Sequence, residues 1–457
     1  MKATGMQYRL WIWIALLMCL ELATSPANAA ERTTPRLTLS QAIAAALKTN
    51  PEMQAVRYQM QAVASQVTQA RSGLLPQLDV AEIFNRTNSP LWAFGTKLNQ
   101  GNIQSSDFAP DQLNDPEAIN NFNTALTLSW NLFDGGRTWI GWRQAQKNKE
   151  ATALGLQQSE HQVIAQAAKA YAGCLLAAKN LDVVVQAQET ARAHLKVVRD
   201  RFGSGLVVKS DLLRAQVRIA DLEQQRLMAE SQLHVALAML KAVMGQPEVD
   251  DPALTTALEA GTATPGELAH WVDQALDRRP DLKQLQIQEE IARQAVARAR
   301  AEHWPALALQ GNYEINSEDF NDSKDSYTVG AVLKLNLYSG QRISAQTAAA
   351  KAMLSRIQAL RKGLALNVRV QTQKAFFQAQ SAWQSIQVAQ IAVEQADEGL
   401  RIVANRYQSG LLTLVSLLDA QVALQRARTQ HFKALHDYQV ARIDLALATG
   451  VIDKDFK

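Results

Sequence analysis

The chain has 457 residues, of which 47% are hydrophobic and 20% charged, with a formal net charge of +4. That length suffices for two or three ordinary domains, and with acids and bases interspersed and no Lys/Arg run interleaved with aromatics, nucleic acid is excluded as an expected partner. Past the N-terminus no uninterrupted apolar stretch reaches the roughly 18–20 residues that a membrane helix needs.

The first 29 residues read as a secretory signal peptide. Lys2 and Arg9 precede an apolar run from Leu10 to Leu20, and Ala27-Asn28-Ala29 supplies a small-residue cleavage site. The run is too short for a membrane anchor. Cys19 follows Met18 rather than a small residue, so a lipoprotein signal is not expected. Without the signal only Cys174 remains, and an intrachain disulfide is impossible.

Ser40 reads as the N-cap of a first helix, and Pro76 marks a helix-to-strand switch. Leu78 to Phe84 alternates weakly. After a polar loop from Asn85 to Asn121, Phe122 to Leu132 alternates strictly, with Phe122, Leu126, Leu128, Trp130 and Leu132 on one face and Asn123, Thr127, Ser129 and Asn131 on the other. Asp134-Gly135-Gly136 then marks a strand-to-helix switch. From Arg137 no proline appears until Pro247, and apolar residues recur at spacings of three and four: Ala167, Ala170, Cys174, Ala177, Leu181, Val184 and onward. This is a coiled-coil period on a helix far longer than a globular domain requires.

RFGSGLVVKSD, Arg201 to Asp211, resembles a phosphate loop, but Val208 stands where such a loop needs glycine before its lysine. The stretch is a hairpin tip between two antiparallel helices, with Gly205 available for positive φ and Asp211 expected to cap the next helix. Gln246 to Gly266, rich in Pro, Asp, Thr and Ala, reads as a linker. Pro305 marks a second helix-to-strand switch. Leu307 to Asn316 and Tyr327 to Leu337 repeat the alternation, and a second hairpin turns at Arg406 to Ser416, RYQSGLLTLVS.

These elements are a duplication. At an offset of 205, Arg201–Gly245 falls on Arg406–Gly450 without a gap, with 15 identities in 45 positions. Upstream the offset becomes 229, which lays Asn50-Pro51 on Arg279-Pro280 and Pro76 on Pro305. The expected organisation is a signal peptide at 1–29, a first helix–strand–strand–helix–helix repeat at 30–245, the linker at 246–266 and a second repeat at 267–457.

Period two over about ten residues suits both a half-buried soluble sheet and a transmembrane β-strand. The flanks favour the membrane. Trp139, Trp142, Trp304 and Tyr338 fall at one end of the strands, where an interfacial aromatic girdle would sit, and the long loop falls at the other. Four strands cannot close a barrel, and an open edge in lipid leaves backbone groups unpaired, so several chains must share one barrel. A soluble periplasmic coiled-coil scaffold or adaptor would account for export and the heptads but not for the strands. An enzyme is not expected: His431 and His436 are five apart, no catalytic signature is present, and no catalytic, cofactor or metal site is assigned.

With these pieces placed, the sequence resembles the TolC family of outer-membrane efflux proteins. The resemblance is carried by LTLSQAIAAALKTNP (Leu37 to Pro51), ARSGLLPQL (Ala70 to Leu78), NLFDGGR (Asn131 to Arg137), the two SGL tips and ALDRRPDL (Ala275 to Leu282). It implies a mainly α protein with a transmembrane β-barrel portion in the outer membrane of a Gram-negative bacterium. It also implies a homotrimer with one twelve-stranded barrel and a twelve-helix periplasmic tunnel. The channel would serve tripartite efflux or type I secretion as a passive conduit, opened at its tips by a periplasmic adaptor and an inner-membrane transporter. Ser204, Gly205, Leu206, Ser409, Gly410 and Leu411 match the adaptor-docking tips. Tyr407, Asp211 and Asp419 match residues of the closed periplasmic gate, while Leu412 replaces a latch arginine and Ser416 a second pore aspartate.

Overall fold

The computed structural model describes residues 36–263 and 266–453. The signal peptide expected at 1–29 lies outside the described residues. Two copies of one element order follow each other. In the first, α1 (Leu39–Thr49) and α2 (Pro51–Ser72) lead into β2 (Gln77–Thr87), and β3 (Ile119–Phe133) runs into the helices α5 (Arg137–Gly203) and α6 (Lys209–Met244). In the second, α7 (Leu268–Arg278) and α8 (Pro280–Arg300) lead into the strand pair β5 (Ala306–Ser317) and β6 (Ser323–Lys334). That pair precedes α9 (Arg342–Gln408) and α10 (Leu414–Thr449). Two-residue strands β1 (Arg36–Leu37) and β4 (Ala253–Leu254) pair in parallel beside the helices. The offset of 205 carries both ends of α5 onto those of α9, and both ends of α6 onto those of α10.

Local chemistry explains the boundaries. Thr38, not Ser40, caps α1: its hydroxyl accepts from the Gln41 N–H while the Gln41 side chain accepts from the Thr38 N–H. The reciprocal box needs Gln three residues after the cap, which Thr38 has and Ser40 lacks. Asn50 receives the Glu52 and Met53 amides, and Pro51 takes the first position of α2, where its missing N–H costs nothing. The Asp134 carboxylate accepts from the Thr138 N–H, starting α5.

α5 and α9 each hold 67 residues, roughly 100 Å of helix at 1.5 Å per residue. Each folds back on its hairpin partner, α5 on α6 and α9 on α10. The two hairpins join through α5 against α10, where Tyr171, Cys174 and Leu175 pack with Ala434, Leu435 and Tyr438, and Ile164 and Ala168 pack with Ile443 and Ala446.

The four long strands form one open antiparallel sheet, ordered β2-β3-β5-β6. Register sets Leu78, Val80 and Phe84 opposite Leu128, Leu126 and Phe122, while on the same face Trp130, Leu126 and Thr124 stand opposite Leu309, Tyr313 and Ile315, which in turn face Ala331, Tyr327 and Asp325. One face of the sheet is therefore mainly apolar across all four strands, and the other carries Asn121, Asn123, Thr127, Asn312, Glu314 and Asn316. β6 ends at Lys334, before the Leu337 expected from the pattern. Its ladder partner β5 begins at Ala306, and Pro305 has no N–H with which to extend the pairing.

The segment read as a polar loop contains helices α3 (Pro90–Gln100) and α4 (Pro110–Asn114). α3 lies on the polar face of the sheet. Gln100, fully buried, donates to the Asn120 carbonyl at 2.8 Å and to the Asn121 side chain at 2.9 Å, and Asn121 and Asn123 both donate to Asn316 at 2.9 Å.

Candidate functional site at the helical tips and the sheet

Both hairpins reverse in the same way. Gly205 and Gly410 hold φ of +67° and +74°. Gly205 donates to the Phe202 carbonyl and Leu206 to that of Arg201; Gly410 donates to Tyr407 and Leu411 to Arg406. These are Schellman closures, which require a left-handed residue that glycine adopts without a Cβ clash. Ser204 and Ser409 donate back to the Asp200 and Asn405 carbonyls, fixing the turn just before the glycine. The closures leave Leu206 and Leu411 as exposed apolar knobs at the extreme of each tip.

Val208 holds the N-cap position before α6 and offers no side-chain cap, so Asp211 is not the N-cap expected from the sequence. It sits in the first helical turn, three residues past the cap, where a carboxylate faces the positive helix end. In the second hairpin Thr413 caps α10, accepting from the Ser416 N–H. Asp419, one turn into α10, is exposed and makes no hydrogen bond or ion pair among the described residues.

Tyr407 is buried between the hairpins with Val198, Ala215, Leu414 and Leu417. Burial pushes its hydroxyl above the ordinary tyrosine range; Arg201 opposes this and Asp211 adds to it. Asp211 is thus near enough to be felt electrostatically, yet no hydrogen bond joins the two side chains. The missing cation at Leu412 has a counterpart. Arg201, at the end of α5, lies 5.1 Å from the centre of the Tyr407 ring and donates to the Tyr407 carbonyl at 3.3 Å and the Gln408 carbonyl at 2.9 Å. It caps the neighbouring hairpin's helix from outside, where carbonyls carry the negative end of the dipole. Sequence reasoning passed over Arg201, although its identity with Arg406 in the repeat alignment was a signal.

At the other end of the molecule, Trp139 and Trp142 pack against each other at the start of α5, their rings tilted by 60° with centres 4.8 Å apart. Trp304 precedes β5 and Tyr338 follows β6, both well exposed, so all four aromatics lie at the helix-proximal end of the sheet. The apolar face of the sheet is itself exposed, including Leu78, Val80, Phe84, Tyr327, Val329 and Leu333.

The outer membrane efflux protein family model matches residues 42–246 and 271–451, one copy on each repeat. The outer membrane protein TolC of Vibrio cholerae is 25% identical over 422 residues, covering 90% of each chain. The alkaline protease secretion protein AprF of Pseudomonas aeruginosa is 25% identical over 418 residues, covering 90% of this chain and 83% of AprF. Among solved structures, the Campylobacter jejuni CmeC outer membrane channel superposes with a TM-score of 0.76 at 18% identity, covering 91% of this chain and 88% of that one, a likeness of fold. Matched over both repeats, the chain belongs to the outer membrane efflux protein family and is an outer-membrane channel of efflux or secretion systems.

Proposed function

We propose that three copies of this chain build one continuous conduit, a twelve-stranded barrel in the outer membrane continued by a twelve-helix tunnel across the periplasm. One comparison between the repeats carries this reading. On α5, Ala165, Ala172 and Val183 are 3%, 2% and 4% exposed and share one helical face by their spacings of seven and eleven, a face on which Ala165 packs with Ile443 and Ala446 of α10. Their equivalents on α9, Val370, Phe377 and Val388, are 62%, 54% and 70% exposed. The partner this face lacks is the equivalent of α10 in the other repeat, which is α6 of a second copy. α6 offers a matching exposed stripe of Val217, Leu227, Met228, Val235 and Met239. By length and composition α6 is also apolar enough to cross a membrane, but a subunit contact accounts for the same residues.

The sheet makes the same demand. β2 and β6 are free edges of a sheet whose exposed face is apolar, and in lipid such edges must be paired. Pairing β6 of one copy with β2 of the next closes a barrel with the Asn-rich face toward its lumen. Trp139, Trp142, Trp304 and Tyr338 then stand at the periplasmic lipid interface. The halves 30–245 and 267–457 are the two pseudo-equivalent units of each subunit, and 246–266 joins them.

The periplasmic entrance lies at the tips. Tyr407, Asp211 and Asp419 form its closed gate, and Ser204, Gly205, Leu206, Ser409, Gly410 and Leu411 are the surface a periplasmic adaptor grips when an inner-membrane transporter is recruited. Mass measurement of the purified mature chain in detergent tests the assembly: three chains per particle are expected, with discrete conductance steps in planar bilayers. A particle of one chain that stays dissolved without detergent sinks the reading.

A further inference from the structure

The internal repeat allows a contact absent from the isolated chain to be located by one that is present. Arg201 of the first tip donates to the carbonyls of Tyr407 and Gln408 in the second. At the offset of 205, Arg201 becomes Arg406, and Tyr407 and Gln408 become Phe202 and Gly203. Within the chain Arg406 and the Gly203 carbonyl are idle, while the Phe202 carbonyl already accepts from the Gly205 N–H of its own turn, just as the Tyr407 carbonyl accepts from Gly410 beside Arg201. The Arg406 guanidinium is exposed and makes no hydrogen bond or ion pair among the described residues, and no donor among them reaches the Gly203 carbonyl, a helix-end group without an intrahelical partner.

We propose that Arg406 clamps the next subunit, donating to the carbonyls of Phe202 and Gly203 of the partner subunit and lying over that phenylalanine ring as Arg201 lies over Tyr407. The proposal rests on the trimeric reading. The helix faces that would bring these groups together are the exposed stripes of α9 and α6, so the clamp sits at the end of an apolar seam rather than standing alone. The six tips then form a closed ring, each gripping the next through one arginine, once within each of the three subunits and once across each of the three subunit boundaries.

The two kinds of clamp differ in one respect. Tyr407 is buried at 4% exposure and locks its clamp into the Leu414–Leu417 cluster, whereas Phe202 is 38% exposed in the single chain. The intersubunit clamp crosses the boundary between subunits, and it is the one that dilation of the entrance pulls apart. Arg406 is then a positioning residue of the gate, distinct from the pore-facing carboxylates.

Two measurements test this on the intact detergent-solubilised protein. In a Cys174→Ser background, the pair Arg406→Cys with Gly203→Cys is treated with a short bis-maleimide, since an arginine spans more than the roughly 7 Å Cα limit of a disulfide. Covalent dimers and trimers are expected, while the pair Arg201→Cys with Gln408→Cys links only within a chain. In planar bilayers, Arg406→Ala, which removes the clamp at all three subunit boundaries, raises the open-to-closed ratio by at least about tenfold, the factor that a single charge-assisted hydrogen bond carries. Trimeric particles in which the 406/203 pair links only within a chain, or in which Arg406→Ala leaves the ratio unchanged, overturn the clamp and leave the trimer standing. Particles of one chain remove both.

Discussion

Cys174 illustrates how position decides the chemistry of a side chain here. It is fully buried where α5 meets α10, and burial pushes its thiol up to about 12. Since the thiolate is the reactive form, the folded protein should resist maleimide at pH 8 and react fully only after denaturation, as mass spectrometry of the labelled chain would show. Gly245 is constrained differently. It ends α6 at φ +69°, and a Cβ there would overlap the Thr49 carbonyl oxygen at the end of α1. Gly245→Ala should cost more than about 1 kcal/mol, combining a disfavoured φ with backbone overlap, and lower the midpoint of the helical circular dichroism transition. Single residues were the hardest scale to read from sequence. The tip glycines were legible because a tight helix reversal needs positive φ, whereas Tyr407 was marked by the resemblance alone, and the choice between Thr38 and Ser40 turned on where Gln41 falls. Arg201 acquires its role only when a helix 206 positions away ends beside it, a juxtaposition no local pattern encodes.

Elements were more legible, because periodicity is what burial writes into sequence. The strand cores were readable from alternation, and so were their faces, since the register sets Val80, Leu126, Tyr313 and Tyr327 in one row across all four strands. Helices α3 and α4 were not legible. They lie within a segment polar on average; α3 carries Leu91, Phe94 and Leu98 at helical spacing behind Pro90, but over only three turns, and α4 at five residues is too short to show any period. The place of α3 on the sheet is set by Gln100, whose amide donates to Asn120 and Asn121. Gln100→Ala should leave buried amide groups unsatisfied at about 1–3 kcal/mol, and hydrogen exchange across 119–123 should accelerate while the remaining strands stay protected. The apolar face carries its own prediction. Leu126→Arg places a charge in mid-strand on the surface assigned to lipid, costing about 2–4 kcal/mol near the bilayer midplane, so outer-membrane assembly should fall sharply. Thr127→Arg, one residue on and facing the polar side, should assemble and alter conductance instead.

For the whole molecule, the duplication turns one chain into an experiment with its own control. Val183 and Val388 are the same residue at the same place in the repeat, yet the first is buried by its own chain and the second is exposed. If the α9 stripe is a subunit seam, a carboxylate at either position meets an apolar surface and bears a desolvation penalty, but the consequences separate. Val183→Glu strikes the α5–α10 contact on which the single subunit depends, and should lower the unfolding midpoint of the chain itself. Val388→Glu should leave the subunit folded, with helical circular dichroism unchanged, and shift the detergent-solubilised particle from three chains toward one. Equal destabilisation by both, with the particle mass unaltered, would mean that the α9 face is buried by something within the chain and that the seam lies elsewhere. The contrast depends on the register between repeats, which the matched 67-residue lengths of α5 and α9 hold without slippage. In the proposed ring, pseudo-equivalent hairpins use one kind of helix contact alternately within and between subunits, and the differing exposure of two identical valines supports that reading.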